Sequence, residues 1–141
     1  MRNVILACHL ILIAMGTGMS LANLLNLLQA RAEAGERFAA LAALRKTLAR
    51  LADIVIALIW VTGAILAWRL AAEGADIWSG WFLAKLAFVV LLTLAHGLVR
   101  ATAGRMARTG DRSLLPRLTG AVATVFGSAL ASIVLAVAAF G

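Results

Sequence analysis

Residues 81–99 read WFLAKLAFVVLLTLAHGLV, an apolar run that carries one lysine, Lys85, and one histidine, His96. A helix needs roughly 20 apolar residues to cross a hydrocarbon core of about 30 Å, and this run meets that length. Three more such runs lie at approximately 4–30, 51–72 and 118–140. They are continuous rather than alternating, and far longer than the ~10 residues of a membrane strand. Hydrophobic residues make up 64% of the chain. The expected fold is an all-α integral membrane four-helix bundle in a single domain spanning 1–141.

The formal charge of +7 reads as a topology signal, because Lys and Arg collect in cytoplasmic loops. Arg31, Arg37, Arg45, Lys46 and Arg50 surround the first connection, and Arg100, Arg105, Arg108, Arg112 and Arg117 the third. The short second connection holds Glu73 and Asp76. Four spans put both basic connections on one side, so they are expected in the cytoplasm with both termini outside, in a bacterial inner membrane. Trp68, Trp78 and Trp81 flank the acidic connection and read as an outer aromatic belt; Trp60, in mid-span, reads as packing. A nucleic-acid role for the basic loops is not expected. The first run is too long for the apolar region of a signal peptide, about 7–15 residues. Cys8 is the only cysteine, so no internal disulfide forms.

Within approximately 33–50, Phe38, Leu41, Leu44, Leu48 and Leu51 recur at steps of three and four, with Arg37, Arg45, Lys46 and Arg50 between them. That spacing predicts an amphipathic interfacial helix that can continue into the second span. Gly110–Asp111 and Pro116 mark the turn before the fourth span. Gly120, Thr124, Ser128 and Ser132, spaced four apart, predict a small-residue packing stripe. His9, Gly16, Ser20 and Asn23 share a face of the first span, and that face is expected to point into the bundle.

Polar groups inside a bilayer are costly, so the few present are the candidate functional residues. With about 1.5 Å of rise per residue, His9 and Lys85 fall in one layer, about 6–9 Å below the outer boundary. Asp53, His96 and Asn23 or Asn26 fall in a second layer nearer the basic connections. Lys85 either snorkels outwards or serves the interior. Asp53 pairs either with Arg50 on its own helix or with His96. His9 has no carboxylate at its depth, and a neutral imidazole there suits haem iron or another metal. Cys8, Met15 and Met19 share a face of the first span, which suits either packing or Cu(I). No nucleophile–base triad, phosphate-binding glycine loop or CxxC pair occurs, so hydrolytic and nucleotide chemistry have no support.

Gly80-Trp81-Phe82-Leu83-Ala84-Lys85-Leu86-Ala87, followed by Leu94-Ala95-His96-Gly97, resembles the third helix of the HemJ-type protoporphyrinogen IX oxidases. These are small four-helix membrane proteins related to the CopD-like copper-resistance family. Cys8-His9-Leu10-Ile11 is similar to the start of that family's first helix, and Val61-Thr62-Gly63-Ala64 to a turn of its second. The resemblance implies oxidation of protoporphyrinogen IX with an associated haem b. It implies His9 as an iron ligand or redox-site residue, Lys85 as a propionate partner or proton acceptor, and His96 as a secondary haem or proton-path residue. The chain departs from the pattern at Leu21-Ala22-Asn23-Leu24, where the family carries Leu-Pro-Arg-Leu. Three roles therefore stand: a haem-dependent oxidase passing electrons to quinone or a membrane partner, a non-enzymatic subunit of a larger membrane complex, and copper handling. A homo-oligomer is compatible with each.

Overall fold

The computed structural model describes residues 2–74 and 77–140, without the side chains of 2 and 138–140. Asp76, counted above with the acidic connection, and the Arg2 side chain lie outside the described residues. Four helices account for nearly all of the rest: α1 (Arg2–Ala30), α2 (Gly35–Ala72), α3 (Gly80–Thr109) and α4 (Leu115–Phe140), with a 3₁₀ turn at Arg112–Leu114 before the last. All four are long and apolar enough to cross a membrane. The chain is a multi-pass membrane protein.

Two helices outrun their apolar stretches. α2 has 38 residues, about 57 Å at helical rise, nearly twice the hydrocarbon thickness. The interfacial segment and the second span are therefore one unbroken rod. α3 continues past Val99 through Arg100, Arg105 and Arg108 to Thr109. It stops at Gly110, whose φ of +68° is the left-handed conformation that glycine takes without strain. The Gly110 amide closes the last turn on the Met106 carbonyl at 2.9 Å. Ser79 caps the start of α3 by accepting from the Phe82 amide. Pro116 sits in the first turn of α4, where a missing N–H is harmless.

α1 packs on α2 and on α4, and α4 packs extensively on α3. The hydrophobic core lies toward the basic connections, where Leu27 of α1, Ala95, Val99 and Met106 of α3, and Leu118, Val122 and Val125 of α4 meet. The outward faces, among them Leu10, Ile11, Ile54, Leu94 and Val134, are exposed to where lipid would lie. Trp68, Trp78 and Trp81 are likewise exposed.

The periodicity reading of α4 is corrected. On α4 the buried row is Leu118, Ala121, Val122, Val125 and Ala129. Gly120 and Thr124 face outward, and only Ser128 of the proposed stripe is buried. Larger apolar residues set the packing register, and Gly120 lies about 160° around the helix from both Leu118 and Val122 on a 100° step. In the first half of α2, Phe38, Leu41 and Leu48 are half-buried, Leu44 and Leu51 are exposed, and Arg45 and Ala49 turn inward. Arg45 goes in because it finds Asn26 of α1, its guanidinium donating to Asn26 Oδ1 at 3.1 Å.

The basic connections adjoin. Arg112, just before α4, donates to the carbonyls of Ala30 (3.3 Å) and Glu33 (2.7 Å) at the end of α1. Cationic capping of the exposed last carbonyls of a helix is favourable. It ties the third connection to the first.

Candidate functional site: a four-helix cavity

Beside the core, with Val99, Val122 and Val125 on the shared wall, the helices part around a cavity of about 620 Å³ lined by residues of all four. That volume lies within the ~300–1,000 Å³ usual for small-molecule and cofactor sites. His9, Lys85, Asn23 and His96 all line it. So do Gly16 and Ser20, so the His9 face of α1 does point inward.

His9 is 6% exposed, and its Nδ1 lies 2.7 Å from Thr62 Oγ1. Thr62 in turn donates its hydroxyl proton down its own helix to the Leu58 carbonyl, 2.7 Å away. While that proton stays on the Leu58 carbonyl, Thr62 offers His9 a lone pair, and the tautomer that fits is the one with the proton on Nδ1 and the lone pair on Nε2. A ligating histidine is held in this way, with its other ring nitrogen fixed by a hydrogen bond. Gly63 makes room for the ring: a Cβ there would stand 3.3 Å from His9 Cε1 and 4.0 Å from Nε2.

Lys85 is half-buried in the same cavity and within electrostatic range of His9. Among the described residues its ammonium has no hydrogen-bond or ion-pair partner. A buried imidazole and, among the described residues, an unpaired cation thus line one apolar space.

Further toward the basic end, Trp60 Nε1 donates to Thr93 Oγ1 at 3.0 Å. Trp60 therefore does more than pack; it bridges α2 and α3, whose backbones otherwise approach little. The next bridge is His96 Nε2 to Asp53 Oδ1 at 2.7 Å, with Arg100 at 3.5 Å from Asp53 Oδ2. Asp53 thus pairs across to α3 and not with Arg50. The second layer is assembled with one change: Asn23 stays on the cavity wall with Oδ1 unpartnered, while Asn26 pairs below it with Arg45. The residues that fix the two histidines, Thr62 and Asp53, are about 13 Å apart along α2 by helical rise. One iron cannot take both histidines.

The sulfur constellation does not assemble. Cys8 and Met15 are exposed, and Met19 alone of the three lines the cavity. Among the described residues no three His, Cys, Asp or Glu side chains converge as a metal site. Sequence reasoning had singled out every ionisable residue of the cavity but missed Thr62 as the partner of His9. The available signal was a hydroxyl one residue before a glycine in an apolar run. No protein-family model, curated protein or solved structure matches this chain.

Proposed function

We propose that the chain is a haem-associated membrane redox protein of the HemJ type, which oxidises protoporphyrinogen IX to protoporphyrin IX and passes electrons to quinone or a membrane partner. The observation that carries this reading is His9 on the wall of a cavity large enough for a cofactor-sized ligand, with its Nδ1 hydrogen-bonded to Thr62. A haem requires a single protein ligand of this kind, unlike a bare metal ion, which needs several converging donors. When bound, haem b supplies one-electron redox chemistry.

The protein's own part is positional. Thr62 fixes the tautomer and tilt of His9, and Gly63 leaves the ring its place. Lys85 offers a cation to a substrate carboxylate. In its neutral form it also takes up a proton released as the tetrapyrrole loses hydrogen. Among the described residues it is the one lysine or arginine that lines the cavity, and the arginine of the family's Leu-Pro-Arg-Leu segment has no counterpart at Leu21-Ala22-Asn23-Leu24. The Asp53–His96–Arg100 series leads from the cavity wall toward the basic connections and offers an exit for such protons. In this reading those connections face the cytoplasm of a bacterial inner membrane, with both termini outside.

An accessory, non-enzymatic role is the second reading. Its support is the sparse α2–α3 contact, which leaves Trp60 and Asp53 on an open seam. The deciding experiment is an absorption spectrum, oxidised and dithionite-reduced, of protein purified in mild detergent, beside His9→Ala. A haem b spectrum that collapses in the variant is expected. A wild type that remains colourless after haem is added would move the reading to the accessory role.

A further inference from the structure

Arg45 is an ion without a counter-ion. It lies inside α2, 7% exposed, and its one hydrogen bond among the described residues goes to the neutral amide of Asn26. A guanidinium cannot escape burial by losing its proton, so it demands an acceptor. The carboxylates of this end are engaged elsewhere or remote: Glu33 faces Arg37 at 3.8 Å, Asp53 is shared by His96 and Arg100, and Asp111 is bonded to Ser113. Glu36 is solvent-exposed at the start of α2. The C-terminal carbonyls of α1 offer partial negative charge, but Arg112 already takes that of Ala30, the last of the helix, together with the Glu33 carbonyl in the connection.

A second group nearby is also unfilled. Asn26 must present Oδ1 to Arg45, because a guanidinium only donates. Its amide nitrogen is thereby fixed as the other atom, and that Nδ2 is buried with no acceptor. The two unfilled donors stand on different helices. A third group joins them: Arg112 stacks on the Phe38 ring at 4.3 Å, and Arg45 lies over the same ring at 5.6 Å. The free N–H groups of Arg45 are not sealed as Asn26 Nδ2 is, and Arg112 is exposed beside them. An anion can therefore approach from outside the bundle.

Two guanidiniums beside one ring, at 5.6 and 4.3 Å from its centroid, suit an oxyanion with several acceptor oxygens, above all a phosphate. The cluster sits where α1 ends and the basic connections begin, at the depth of lipid headgroups. We propose that Arg45, held in place by Asn26, and Arg112 form a phosphate-binding site, filled by the headgroup of an anionic phospholipid in the leaflet that faces the basic connections. The bound phosphate completes Arg45 and pins α1, α2 and the α3–α4 connection together. The site lies below the His9 cavity and does not depend on the redox reading.

The test compares wild type, Arg45→Gln and the exposed-residue control Lys46→Gln. Each is placed in vesicles of phosphatidylcholine alone, of phosphatidylcholine with phosphatidylglycerol, and of phosphatidylcholine with inorganic phosphate added. Lipid retained by the protein is read by native mass spectrometry, and thermal melting is followed in parallel. Wild type and Lys46→Gln should retain phosphatidylglycerol with roughly tenfold preference, the worth of one charge-assisted pair, and melt higher with it. Arg45→Gln should lose both effects. Stabilisation by inorganic phosphate with no preference for phosphatidylglycerol would keep the phosphate site but assign it to a free anion, overturning the lipid assignment. An equal preference in Arg45→Gln, or no response to either ligand, would overturn the site itself. Should Arg45→Gln fail to fold, the surface variant Arg112→Gln decides, and an undiminished preference there sinks the proposal.

Discussion

Around Leu118, helices α1, α3 and α4 close on one another, and the side chain keeps 1% of its surface. Around His9, the same bundle encloses an open space, lined by a buried imidazole and by a half-buried ammonium with no partner among the described residues. In the first region apolar contact does the holding. In the second, hydrogen bonds do: Thr62 on His9, Thr93 on Trp60, Asp53 on His96. The contrast teaches that stability and reactivity are housed apart. Unsatisfied polar groups are tolerated at the cavity because the packing that pins the helices lies elsewhere.

If that division holds, damage to each half should have its own signature. Leu118→Ala opens a void in the packed half and should cost about 2–5 kcal/mol. A melting curve in detergent would show it, while haem uptake per folded molecule stays unchanged. A parallel loss of uptake would mean that the halves are coupled. Thr62→Val keeps the side chain's shape and removes the acceptor for His9 Nδ1–H. Weakening of haem retention by about 10–100-fold is expected from the loss of such a supporting hydrogen bond. Thr62→Ser should restore it, and melting should barely move. Asp53→Asn lies between the halves; Asp53 is 44% exposed, so solvent screening limits the change to about 1 kcal/mol or less.

The smallest effect is expected at Asp111, which caps the 3₁₀ turn before α4. Hydrogen bonds from the Ser113 hydroxyl and amide hold its carboxyl below the ordinary value of 3.8. A depressed folded pKa adds stability above the unfolded pKa, and that stability is lost as pH falls through the folded one. Asp111→Ala should therefore melt slightly lower than wild type at neutral pH. The two curves should converge only in acid, below the ordinary carboxylate range. A difference that persists there would assign Asp111 a role other than its charge.

The four helices were legible because each apolar run exceeds what a soluble core needs. The polar residues of the cavity were legible for a related reason: in a run such as 81–99, a lysine or histidine is conspicuous. Burial direction was less so. Periodicity gives faces relative to a helix's own axis, and neighbours choose which face is covered. Leu44 and Arg45 illustrate this, since the arginine turns inward to meet Asn26, a partner distant in sequence. Thr62 was hidden by its chemistry. A threonine in an apolar helix normally spends its hydroxyl on its own backbone, as this one does. Its remaining lone pair has no trace in the sequence.

The continuity of α2 gives the molecule something like a camshaft. Arg45, Asp53, Trp60 and Thr62 are fixed to one rod at set angles, and between them they engage two neighbours: α1 through Asn26, α3 through His96 and Thr93, α1 again through His9. One residue inserted between Arg45 and Asp53 would turn every later position by about 100° relative to Arg45. The headgroup-level contact and the three deeper ones could then no longer be made together. Timing among the layers is thus written into the count of residues along a single helix.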